Sequence, residues 1–62
     1  MPLKEQTKQD IIFEFIQLGN CIKVIAIDTI TGLEVSIIGP KTASQTYLER
    51  TALAKLSYVL NK

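Results

Sequence analysis

At 62 residues the chain has room for one small domain, and its single cysteine, Cys21, excludes an internal disulfide. The absence of histidine, beside that lone cysteine, excludes the usual four-ligand zinc site. Seven basic and six acidic residues leave a net charge of +1, without the basic excess of a dedicated nucleic-acid binder.

Cores of this size rarely supply more than about 3–5 kcal/mol, so small scaffolds add a disulfide, a metal or a partner subunit. With the first two excluded, packing and oligomerisation remain. Hydrophobic residues make up 47% of the chain and the mean hydropathy is +0.22, apolar for a domain with so much surface. No segment approaches the roughly 20 apolar residues that span a bilayer, and the start, Met1 to Gln6, lacks the apolar stretch of a signal peptide. A free thiol and no export signal indicate a cytoplasmic protein away from membranes.

Residues 1–10 are polar and read as a flexible N-terminal arm, leaving residues 11–62 as a single domain. Ile11 to Leu18 is rich in β-branched and aromatic residues and predicts a strand. Gly19-Asn20 is a pair that closes tight hairpins. Cys21 to Asp28 predicts a second strand. In Asp28-Thr29-Ile30-Thr31-Gly32, the Asp side chain can bond the turn's own amides and Gly32 can take the left-handed position. Leu33 to Ile38 predicts a third strand, which Gly39-Pro40 breaks. Thr42 with Gln45 three residues later reads as a capping box opening a helix that runs to about Asn61. Leu48, Ala52, Leu56, Val59 and Leu60 share one helical face, with Leu53 at its edge. The fold class is therefore α+β: a three-stranded antiparallel meander followed by one C-terminal helix packed on one face.

A two-residue first loop pairs Leu18 with Cys21, and a four-residue second loop pairs Asp28 with Leu33. Alternation then sorts the side chains. One face holds Ile11, Phe13, Phe15, Ile22, Val24, Ala26, Leu33, Val35 and Ile37, and should receive the helix. The other holds Ile12, Glu14, Ile16, Leu18, Cys21, Lys23, Ile25, Ile27, Glu34, Ser36 and Ile38. A wet face should be mostly polar, yet this one is mostly apolar. Its set Ile12, Ile16, Leu18, Ile25, Ile27 and Ile38 is the main candidate interface, covered by a second subunit or another protein. The competing reading leaves that face bare or shields it with the N-terminal arm. A weaker candidate interface is Tyr47, Thr51, Ala54 and Tyr58, on the helix side away from the leucine stripe.

Catalytic chemistry finds little support. No histidine can activate Cys21, which reads as a small semi-buried hydrophobe. Glu14 and Glu34 flank Lys23 and read as cross-strand charge partners. Gly39-Pro40-Lys41-Thr42 lacks the spacing of a phosphate loop. No cofactor is indicated. The rival reading is a nucleic-acid module that uses Lys41, Arg50 and Lys55 around the helix N-terminus. Three strands and a helix recur in double-stranded-RNA binders, but Gln45 and Thr46 stand where a lysine pair is expected. A third reading is an enzyme whose site forms between subunits from Glu14, Glu34, Lys23 or tyrosines.

Several strings match a known pattern: Phe13-Glu14-Phe15, Lys23-Val24, Ala26-Ile27-Asp28, Thr31-Gly32, Glu34-Val35-Ser36-Ile37, Gly39-Pro40, Leu48-Glu49-Arg50 and Tyr58-Val59-Leu60. Over about four-fifths of its length the chain resembles a family of short alphaproteobacterial proteins of unknown function. It departs from that pattern at Thr29, where the family tends to have proline. Some members carry the label serine hydroxymethyltransferase. That pyridoxal-phosphate enzyme is several times longer and needs a Schiff-base lysine in a deep pocket, onto which no residue here maps. The resemblance thus implies a compact bacterial protein and no mechanism. The leading expectation is a non-enzymatic module that self-associates, with a dimer favoured.

Overall fold

The structure is a computed structural model and describes residues 4–8 and 10–61. Four strands form one antiparallel sheet in sequential order: β1 (Lys4–Lys8), β2 (Ile11–Leu18), β3 (Cys21–Asp28) and β4 (Glu34–Pro40). The helix α1 (Gln45–Leu60) follows and packs against β3 and β4. The expected three-strand meander and helix are thus β2-β3-β4-α1, with the predicted pairings Leu18 with Cys21, Phe15 with Val24 and Ala26 with Val35 in place.

The N-terminal residues read as an arm add an edge strand to this meander. Lys4–Lys8 pairs with β2 from Lys4 opposite Phe15 to Lys8 opposite Ile11. Without that pairing, the outward amides and carbonyls of β2 would end at an open edge, and a backbone ladder satisfies them whatever the side chains. The remaining arm positions 1–3 and 9 lie outside the described residues.

Turn chemistry sets the register. Gly19 has φ +61° and Gly32 φ +77°, the left-handed region that glycine enters without steric cost. In the second turn Asp28 Oδ1 accepts from the amides of Ile30 (2.8 Å) and Thr31 (3.4 Å), as its position predicts. The Gly32 amide donates to the Asp28 carbonyl at 2.8 Å. Thr29 donates through both its amide and its hydroxyl to the Asp10 carbonyl, each at 2.9 Å, tying this turn to the start of β2.

β4 is longer than expected, because Gly39-Pro40 does not end it. The Asp28 amide bonds the Leu33 carbonyl, and the Lys41 amide bonds the Asn20 carbonyl. Hydrogen-bonded pairs alternate along an antiparallel ladder, so Val35, Ile37 and Gly39 turn their backbone groups toward β3. Pro40 then falls on an outward position, where its missing N–H costs no ladder bond. Gly39 has a separate reason to be small: a Cβ there would collide with the Leu48 side chain, so its absence lets α1 approach β4.

The helix start also differs from the capping box at Thr42. Strand pairing to Pro40 is followed by a turn in which the Ala43 amide bonds the Pro40 carbonyl at 3.0 Å. Thr42 is spent in that turn. Ser44 is the cap, its hydroxyl accepting from the Tyr47 amide at 3.1 Å. Gln45 becomes the first helical residue and donates its side-chain amide to Glu49 at 3.0 Å.

The core is Phe13, Phe15, Val24 and Ala26 from the sheet and Leu48, Ala52 and Leu56 from α1, all buried. Ile11, Ile22, Leu33, Val35, Ile37 and Leu53 pack around it, so the face assigned to the helix is the face that receives it. Leu60, expected on the buried stripe, is exposed, and Val59 is half-buried. Leu48 meets Gly39 and Lys55 reaches Ser36, so α1 runs back along β4. At about 1.5 Å per helical residue against about 3.3 Å per strand residue, Leu60 arrives near Glu34, where β4 begins.

Phe15→Ala should destabilise the domain by about 3–5 kcal/mol, enough to unfold so small a core, as urea denaturation followed by circular dichroism would report. Ser44→Ala should cost about 1 kcal/mol and Thr42→Ala a few tenths at most by the same measurement. The reverse order would move the cap back to Thr42.

Candidate interaction face

Opposite the helix, the sheet presents its even-numbered β2 residues and odd-numbered β3 residues. The register sets Ile12 beside Ile27 and then Glu34, Glu14 beside Ile25 and then Ser36, Ile16 beside Lys23 and then Ile38, and Leu18 beside Cys21 and then Pro40. All six residues of the predicted interface therefore share one face. Ile12, Ile16, Ile25 and Ile27 are half-buried, because neighbours in the pleat shield their flanks. Leu18 is 49% and Ile38 65% exposed. No described element lies over them. The backbone of β1 sits beside β2 in the same sheet, so residues 4–8 widen this layer as its edge strand.

The charges on the face differ from the cross-strand partnership expected. Lys23 stands opposite Ile16 and Ile38, with Glu14 only diagonal to it. Among residues 10–61 no ion pair joins Lys23 to Glu14 or Glu34. Cys21 is exposed at the end of this face beside the first hairpin turn.

The helix carries the second predicted set. Tyr47, Thr51, Ala54 and Tyr58 all face solvent, the tyrosines 61% and 69% exposed. The Thr51 hydroxyl donates to the Tyr47 carbonyl at 2.9 Å, a bond within the helix. The stripe is narrow and its small members leave the rings apart, so it offers less continuous apolar surface than the sheet.

The cations of the nucleic-acid reading diverge. Lys41 is exposed in the turn before α1, with its amide committed to Asn20. Arg50 borders a recess between α1 and β2 that is also lined by Phe13, Thr46, Glu49 and Leu53. Lys55 turns the other way, its Nζ donating to the Ser36 carbonyl at 2.8 Å. Lys55 lies five positions after Arg50, about 140° around the helix axis. They form no single stripe for a phosphate backbone.

The recess holds Thr46 and Glu49 with no histidine or cysteine, and the Glu49 carboxylate already accepts from Gln45. No group of three potential metal ligands occurs among the described residues. No helix of the described residues is long and apolar enough to cross a membrane.

The family model described as Domain of unknown function (DUF6898) matches residues 8–62 of the chain, which is nearly its whole length. Comparison with curated proteins and with solved structures returned no match.

Because the cations diverge, the chain should pass through immobilised RNA or DNA without salt-dependent retention at low ionic strength. Retention that Lys41→Glu weakens would restore the nucleic-acid reading.

Proposed function

The chain belongs to the family of that domain of unknown function, and we propose that it is a non-enzymatic interaction module that self-associates as a dimer through the outer face of its sheet. One observation carries this reading. Ile12, Ile16, Ile25 and Ile27 lie together on the face that α1 leaves bare, with Leu18 and Ile38 more than two-fifths exposed beside them. Contiguous apolar surface of this kind is uncommon on a monomer and marks contact sites.

A second copy suits the face better than an unrelated partner. The face carries both signs of charge, Lys23 against Glu14 and Glu34. Two copies related by a two-fold axis can therefore pair across the interface the lysine that neither glutamate meets within one chain. Four strands about 4.8 Å apart and eight residues at about 3.4 Å give a face of roughly 19 by 27 Å. That plan matches the two longer extents of the domain, 31 and 20 Å. Standard interfaces take about 800 Å² of accessible surface per partner, which a corrugated face of this plan supplies only if most of it is used. Packing two such sheets face to face, about 10 Å apart, interdigitates the isoleucines of both. The association also supplies the staple that a 62-residue chain without a disulfide lacks.

The same reading holds the protein to be bacterial, of alphaproteobacterial origin, and cytoplasmic, where reducing conditions suit the unpaired Cys21 thiol. It sets aside the serine hydroxymethyltransferase label of the family it resembles. The residues that flank Cys21, Glu14 and Glu34 favour a contact role over a catalytic one.

Sedimentation equilibrium at micromolar concentration tests the proposal. The wild-type chain should have twice its formula mass, and Ile25→Glu should halve it. Ile38→Glu, at a position exposed enough to keep the fold, should weaken the dimer at least tenfold. A wild-type monomer, or a full-strength dimer from both folded variants, would overturn the face assignment.

A further inference from the structure

The sheet has a second exposed feature, the free edge of β4. Along this strand the ladder to β3 uses the backbone of Val35, Ile37 and Gly39, so the amides and carbonyls of Glu34, Ser36, Ile38 and Pro40 point outward. An open edge of this kind is a template for another strand, and the most available one is the β4 of a second copy. A two-fold copy would set Ser36 opposite Ser36, with Glu34 and Ile38 opposite each other on either side. The edge is not bare, however. The Ser36 carbonyl, at the centre of that arrangement, accepts from Lys55 Nζ at 2.8 Å. The Pro40 carbonyl accepts from the Ala43 amide at 3.0 Å, and Pro40 has no N–H to offer. Two of the four outward acceptors are thus filled by the chain itself, and one of the four outward donors is missing.

We propose that Lys55 is a gatekeeper of the β4 edge, reaching from α1 across the strand to close the Ser36 carbonyl against antiparallel addition of a second copy's β4. The side chain has the two properties the task needs. Its stem spans the gap from helix to strand, and its ammonium brings a strongly hydrated charge to the point where an incoming strand would have to shed water. The outer-face dimer uses side chains and this edge uses backbone groups, so the two adjoining surfaces can be disrupted separately at Ile25 and at Lys55. Closing the edge keeps association through the face finite, where an open edge would let dimers extend sideways into larger sheets.

Lys55→Ala tests the gate, with Lys55→Arg as the conservative control, since a guanidinium can still reach the carbonyl. Each is made in the wild-type chain and in the Ile25→Glu background, which removes the outer-face contact. Lys55→Ala should double the sedimentation mass in the Ile25→Glu background, where each chain has one edge, and raise it at least twofold in the wild-type chain, where each face dimer has two; Lys55→Arg should leave both unchanged. Amide hydrogen exchange reads the geometry. The Ser36 and Ile38 amides, open in the parent, should slow at least tenfold in Lys55→Ala, while Val35 and Ile37 are already protected. In the Ile25→Glu background, where the face contact is already gone, Ile38→Pro deletes one of those outward donors and should reverse the doubling. A folded Lys55→Ala chain with the mass of its parent would overturn the proposal. So would a larger mass without slowed exchange at Ser36 and Ile38, since that association uses another surface. If Ile25→Glu leaves the parent dimeric, the outer-face reading fails, while the gate is still judged by the doubling over that parent.

Discussion

One helix of sixteen residues must serve a sheet whose two faces are both apolar. That mismatch governs the rest of the molecule. Strand alternation sends Phe13, Phe15, Val24 and Ala26 to one side, where Leu48, Ala52 and Leu56 close over them. The same alternation sends Ile12, Ile16, Ile25 and Ile27 to the other side, where nothing in the described chain answers them. No rotation of the helix relieves this, because covering the outer face would bare the phenylalanines. A chain this small therefore folds with its second layer unfilled, and the proposed dimer is the most economical way to complete a two-layer structure.

The elements whose hydrogen bonding follows directly from residue type were legible in the sequence. Gly19 and Gly32 fix both turns by their positive φ, Asp28 caps its own loop, and those turns fix the register of β2, β3 and β4. Register in turn fixes the faces, so the core and the candidate interface both follow from counting residues between turns. What escaped were elements decided by neighbours. Lys4–Lys8 has no apolar pattern, and it forms a strand because β2 presents an unpaired backbone. Pro40 reads as a strand breaker, yet it lies in β4 because the position points outward. Thr42 has the better capping spacing, but pairing through Pro40 moves the helix start to Ser44. The role of Lys55 had no signal in its immediate sequence. A lysine on a helix acquires a strand carbonyl only once the helix is known to run back along β4.

Face and edge meet at the sheet margins. A face that associates is useful only if the strand edges do not associate as well, since sheet growth has no natural stop. Here the turn after β4 and the helix both contribute groups to that margin, through Ala43 and Lys55. Gly39 serves the same arrangement from inside, admitting Leu48 close enough to hold α1 along the strand. Membership of a family without an assigned activity leaves function to be argued from surfaces such as these.

The most direct measurement is a filtered NMR experiment on a mixture of isotope-labelled and unlabelled chains, which records only contacts between different molecules. The account predicts intermolecular contacts among the methyl groups of Ile12, Ile16, Ile25 and Ile27. Their absence, or contacts confined to Tyr47 and Tyr58 on the helix, would contradict it.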